Sequence, residues 1–141
     1  MESTIYLYLI VFIVTADFIF DQWLDYLNKK AWTSTVPDAL AEVYPTDKFE
    51  KHKLYRSANY RFGIVNHLFF FFLLMAVLLM GGFSLADGWA AAISVNPIWR
   101  ALIFFAIIGV VSTVINIPFS WYDTFVIESK FGFNKTTPKL F

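Results

Sequence analysis

His52 and His67 are the only imidazoles in the chain, and they stand fifteen residues apart. A zinc-activating helix places two histidines at i and i+4 with a glutamate after the first. Both rings then share one face and the carboxylate activates water. Neither histidine has that setting: Phe71 stands four residues beyond His67, and His52 is flanked by Lys51 and Lys53. A short charge run of that kind reads as a solvated loop face rather than a metal or nucleic-acid site. A Gly-x-Ser-x-Gly elbow, a glycine-rich phosphate loop and any cysteine are also missing. The sequence therefore carries no complete active site. Carboxylates remain. Asp17, Asp21 and Asp25 recur every four residues, with Asn28 three further on, so they stack along one helical face. Either the helix leaves a bilayer there with a wetted side, or Asp17 points into a water-filled interior, because a carboxylate against lipid is costly. A last cluster holds Glu128, Asn134 and Lys135 around Phe131-Gly132-Phe133. Its local reading pairs Glu128 with Lys130 or Lys135 and gives Gly132 a turn between two aromatic anchors.

These groups must be positioned by a chain of 141 residues, enough for one domain. It is 58% apolar and 16% charged, with 17 phenylalanines, against roughly 45–50% and 25% for a soluble domain. That balance suits a membrane protein. Net charge is zero, which gives no electrostatic footprint for a nucleic acid. The lack of cysteine excludes disulfides and thiolate metal sites. From Ile5 to Phe20 the only charge is Asp17, and apolar residues continue through Trp23, Leu24 and Leu27. Glu2 and the missing small-x-small site argue against a cleaved signal peptide, so a retained span is expected at 4–24. Residues 62–86 carry no charge. A span at 62–83 reaches about 33 Å, the thickness of the hydrocarbon core. Gly81 and Gly82 should end it, while Asn66 and His67 near its start suit an interface or a neighbouring helix. Residues 86–99 read as a connection too short to span. A third charge-free run, 101–122, gives a span at 100–120 with Pro118 as a kink. Residues 28–61 are polar, broken by Pro37 and Pro45, with a helix expected from Asp47 through Tyr60. Seven lysines and arginines precede the second span, Arg100 alone precedes the third, and Lys130, Lys135 and Lys139 follow it. The N-terminus is then outside, and the first loop and C-terminus inside. The expected fold is all-α integral membrane: three transmembrane helices, an amphipathic helical inner loop and an inner C-terminal tail.

The run from Pro118-Phe119 through Tyr122, Thr124-Phe125, Ile127-Glu128 and Gly132-Phe133-Asn134-Lys135 resembles the N-terminal membrane region of the CAAX prenyl protease 1 family. Those proteins are integral-membrane zinc metalloendopeptidases. A second block is similar in order: Tyr26-Leu27-Asn28, Val36-Pro37, Phe49-Glu50-Lys51 and Leu54-Tyr55. The resemblance implies tilted helices around a water-filled chamber, with the zinc motif further along the chain. There, zinc-bound water attacks a polarised carbonyl, and the eukaryotic substrates are peptides ending in a prenylated CAAX sequence. It implies that residues 1–141 form an N-terminal membrane domain without catalytic or metal residues, and that this chain alone is inactive. Zinc is expected only in the full-length protein. Asp17, Glu128, Asn134 and Lys135 become substrate-chamber or structural candidates. The implied partners are the lipid bilayer, a C-terminal catalytic half and a peptide substrate, with no nucleic acid. The implied location is a bacterial inner membrane or the endoplasmic reticulum. The alternative is a small standalone multi-span protein that binds a partner through its tail. Pro138-Lys139-Leu140-Phe141 closes no recognisable element, so a piece of a longer protein is expected.

Overall fold

The computed structural model describes residues 2–32 and 46–137. Among the described residues four helices follow one another: α1 (Glu2–Lys30), α2 (Thr46–Leu79), α3 (Gly82–Ile93) and α4 (Pro97–Tyr122). α4 runs straight into a π-helical turn, Asp123–Glu128. Among the described residues there is no strand. Three stretches among the described residues are long and apolar enough to cross a membrane: Thr4–Lys30, Asp47–Leu79 and Pro97–Glu128. The fold is an all-α integral membrane domain. The breaks expected at Pro37 and Pro45, and the final residues from Pro138, lie outside the described residues.

The polar helix expected from Asp47 and the apolar run after it form one helix, α2, of 34 residues. At 1.5 Å per residue it is about 51 Å long. The reason is local. Between Thr46 and Phe62 there is neither glycine nor proline, and Lys and Arg recur beside Glu50, Leu54 and Ala58. Helix continuity follows backbone hydrogen bonding and propensity, and a change of hydropathy does not interrupt it. His52 is therefore on a helix rather than in a loop. α2 ends because Gly81 adopts φ 77, a left-handed conformation that glycine enters without penalty. Gly82 has a different task. A Cβ there would lie 2.9 Å from Val77 Cγ1 and 3.2 Å from the Val77 carbonyl oxygen, so the reversal has no room for a side chain.

Residues 86–99, read from sequence as a connection, are largely helical because α3 occupies Gly82–Ile93. Ala86 and Ala90, one turn apart, are buried. Phe83 meets Phe104 of α4 at 6.4 Å on the same side. Small residues let two helices approach closely where hydrophobic driving force is weak. α4 then starts on a defined cap: Asn96 Oδ1 accepts from the amides of Ile98 (3.0 Å) and Trp99 (3.4 Å), with Pro97 opening the helix.

Among the described residues only Ala86, Ala90, Ile127 and Phe131 are buried apolar side chains, and no polar residue is buried. None of the three candidate spans buries any of its most apolar stretch. The helices satisfy their own backbones and present apolar flanks outward, an arrangement suited to lipid.

Candidate functional site

The buried pair Ile127 and Phe131 marks where the end of α4 meets α2. Pro118 offers no amide to the carbonyl four residues before it. Five residues later the helix widens into the π turn. The widening keeps a stripe in line. Pro118, Tyr122, Val126 and Lys130 are spaced by four, and Phe119, Ile127 and Phe131 run beside them, all lining one groove. In a straight α-helix three steps of four residues drift by about 120°. A π turn closes i to i+5 and takes up more residues, so the stripe stays on one side.

The helix then stops in a Schellman motif. The Phe133 amide donates to the Glu128 carbonyl (2.9 Å) and the Gly132 amide to the Ser129 carbonyl (3.1 Å). Gly132 has φ 70, as the residue in that place requires. Asn134 fastens the turn: its Nδ2 donates to Ser129 Oγ (3.0 Å), and its Oδ1 accepts from the Thr136 amide (2.6 Å). Ser129 Oγ donates in turn to the Thr124 carbonyl at 3.2 Å.

The turn aims two aromatic rings at α2. Tyr55 lies 5.5 Å edge-on from Phe131 and 4.6 Å from Phe133. His52 stands 5.3 Å from Phe133, and Lys51 Nζ is 5.4 Å from the centre of the same ring. Further along α2, Phe62 contacts Tyr122 at 5.1 Å, and Phe69 and Phe70 hold Phe119 at 4.8 and 5.2 Å. Between these walls runs an open groove of about 800 Å³. Arg61 and Lys130 line it near the loop end of α2. The Asn66 side-chain carbonyl, on the same helix, is buried with no hydrogen-bond partner among the described residues.

A second seam joins α1 to the other side of α2. Phe18 stacks on Phe71 at 4.2 Å. Gln22 Nε2 is 3.2 Å from His67 Nδ1, and Asp25 Oδ2 is 3.7 Å from the same nitrogen. Lys29 lies 4.5 Å over the Tyr60 ring, which also meets Trp32 edge-on at 5.8 Å. Of the acidic row only Asp25 enters this seam; Asp17 and Asp21 are exposed beside it. At the opposite end of the molecule the Arg100 guanidinium grips Asp87 through two hydrogen bonds, the Nε one at 2.9 Å. That contact holds the Asp87 carboxyl below its ordinary value.

The structure thus separates the four sequence candidates. Glu128 contributes its main-chain carbonyl, and among the described residues its carboxylate has no ion pair with Lys130 or Lys135. Asn134 closes the turn, Lys135 is exposed, and Asp17 sits on α1, away from the other three. His52 and His67 share α2, about 22 Å apart along its axis. Among the described residues no three His, Cys, Asp or Glu side chains gather as metal ligands, so these residues do not fit a catalytic zinc, which takes three protein ligands. Tyr55 and Phe119 entered the sequence reading only within the blocks that resemble the family, and Phe62 only as the start of a span; none of the three was read as a site residue. The signal that marks their site is the four-residue spacing from Pro118 to Lys130, which departs from a 3.6 period.

Comparison with known proteins gives a consistent set of likenesses. A family profile described as CAAX prenyl protease N-terminal, with five membrane helices, matches residues 25–141. A CAAX prenyl protease 1 homolog of Caenorhabditis elegans is 33% identical over 122 residues, 85% of this chain and 27% of the relative. CAAX prenyl protease 1 of Saccharomyces cerevisiae is 28% identical over 139 residues, 89% of this chain and 30% of the relative. The crystal structure of S. mikatae Ste24p superposes with a TM-score of 0.83 at 27% identity, covering 95% of this chain and 33% of that one. The chain spans about a third or less of the length of these relatives.

Proposed function

This chain belongs to the CAAX prenyl protease N-terminal family, and on that premise we propose that it forms the membrane scaffold and chamber wall of a zinc metalloendopeptidase. The substrates are prenylated or membrane-associated peptides. Zinc and its ligands come from a catalytic half outside these 141 residues, so no catalytic step is assigned to any residue here. The observation that carries the reading is the docked junction. The stretch from Pro118 to Asn134 that resembles the family is the one folded as π turn and Schellman motif against Tyr55 of α2. Its aromatic rings are engaged within the chain, which favours a scaffold over a standalone protein that offers its tail to a partner. The sparse burial of the helices also suits a wall packed against further protein or lipid. Positive-inside counting puts the start of α2 and the tail on the inner side.

The test is a chimera. The matching membrane region of the S. cerevisiae CAAX prenyl protease 1 is replaced by this chain, and cleavage of a farnesylated CAAX peptide is measured with and without chelator. Chelator-sensitive cleavage is expected. A chimera that inserts and folds yet cleaves nothing sinks the reading. Topology is tested separately with cysteines at Ser34 and Ser94, which should label from opposite sides of the membrane.

A further inference from the structure

We propose that the groove between α2 and the end of α4 binds one anionic glycerophospholipid. Arg61 and Lys130 hold the phosphate, and an acyl chain lies along Phe62, Phe69, Phe119 and Tyr122. The groove is apolar along its length and cationic at one end. Its volume of about 800 Å³ falls in the range of a small-molecule site, roughly 300–1,000 Å³. Arg61 is the last charge before the uncharged run 62–86, and Lys130 comes after the uncharged run 101–122. Arg61 therefore stands at the level where hydrocarbon gives way to headgroups, and Lys130, which follows Asp123 and Glu128, stands on the water side of that level. Neither has an ion-pair partner among the described residues; the Lys130 ammonium lies 5.8 Å from the Phe131 ring. Among the described residues no carboxylate lines the groove. From Arg61 to Phe69 the α2 wall rises about 12 Å, enough to guide an acyl chain inward from the phosphate.

Charge decides between occupants. Two cations without carboxylate partners at the mouth of an apolar slot call for an anion joined to an apolar tail. A bilayer supplies that molecule at that depth, and basic pockets between membrane helices hold such headgroups. This inference does not depend on the protease reading, and its readout uses no cleavage.

The test is native mass spectrometry of the 141-residue chain released from mixed micelles that hold equal phosphatidylglycerol and phosphatidylcholine of matched chains. One phosphatidylglycerol per chain, favoured about tenfold, is expected. The double substitution Arg61→Gln, Lys130→Gln should bring the ratio near one, whereas Arg61→Lys, Lys130→Arg should keep it. Lys48→Gln, on the same helix outside the groove, should also keep it. Val65→Trp, which fills the slot with the cations intact, should lower retention of both lipids. Helical circular dichroism accompanies each variant. Equal retention of the two lipids overturns the proposal, as does a preference that survives loss of both cations. A lipid-free dimer would assign the groove to a second copy and overturn it as well.

Discussion

α2 is gripped on two sides, and the two grips are built differently. Toward α1 the contacts form a single row: one aromatic stack, then Gln22 and Asp25 on His67, then Lys29 and Trp32 on Tyr60. No residue in that row is buried. Toward the end of α4 the contacts are in depth. Ile127 and Phe131 are buried, the aromatic rings succeed one another from Phe133 to Phe119, and the helix end is locked by main-chain bonds. Polar pairs between membrane helices average only about 0.6 kcal/mol, while a buried aromatic anchor carries several times that. The α4 side therefore fixes where α2 stands, and the α1 side trims its orientation.

The sharpest way to break that contrast is Phe131→Ala. It removes the most buried ring of the junction and should cost about 3 kcal/mol, read as a lower midpoint of thermal unfolding in detergent and faster proteolysis at the tail. An unchanged midpoint would mean that the junction does not anchor the chain end. Gly132→Ala should cost about 1–2 kcal/mol, because a side chain is forced to positive φ. The new Cβ also comes within 3.4 Å of Lys51 Nζ. Asn134→Ala should cost about 1 kcal/mol for its lost hydrogen bonds, and Asn134→Asp should recover the bond from the Thr136 amide. On the other side, His67→Ala should cost only about 0.6 kcal/mol. A loss at His67 equal to that at Phe131 would erase the distinction between the two grips. The smallest effect lies away from both. Arg100 holds the Asp87 carboxyl below its ordinary value of 3.8, so the pair stabilises the α3–α4 hairpin above that pH and is lost as pH falls through the lowered value. Asp87→Asn should flatten that acid limb of the unfolding profile, and salt should weaken the pair since both groups are exposed.

The membrane character of the fold was legible because it rests on long charge-free runs, 62–86 and 101–122, which composition alone exposes. The shape of α2 was not. A sequence reader cuts at the step from Arg61 to Phe62, where hydropathy changes, but the backbone has no reason to stop there. α3 was hidden for the opposite reason: WAAAISV is too short to span, and its helicity goes with the reversal at Gly81 and the burial of Ala86 and Ala90. The turn role read for Gly132 corresponds to its φ of 70. The junction's partner on α2 was out of reach, since nothing local to Tyr55 says that it faces residues more than seventy positions away. The π turn lay between these cases. Its four-residue stripe is written in the sequence, yet it speaks only to a reader who allows a helix to change its pitch.

The unbroken length of α2 has a mechanical consequence. Its charged part, Thr46 through Arg61, extends about 24 Å beyond the hydrocarbon boundary as a stiff continuation of the buried part. A tilt of 10° in the bilayer, well inside the spread seen for membrane helices, would swing its far tip by about 4 Å. Tyr55 and the aromatic rings docked on it ride on that arm, so a change in bilayer thickness would be felt as a displacement in water.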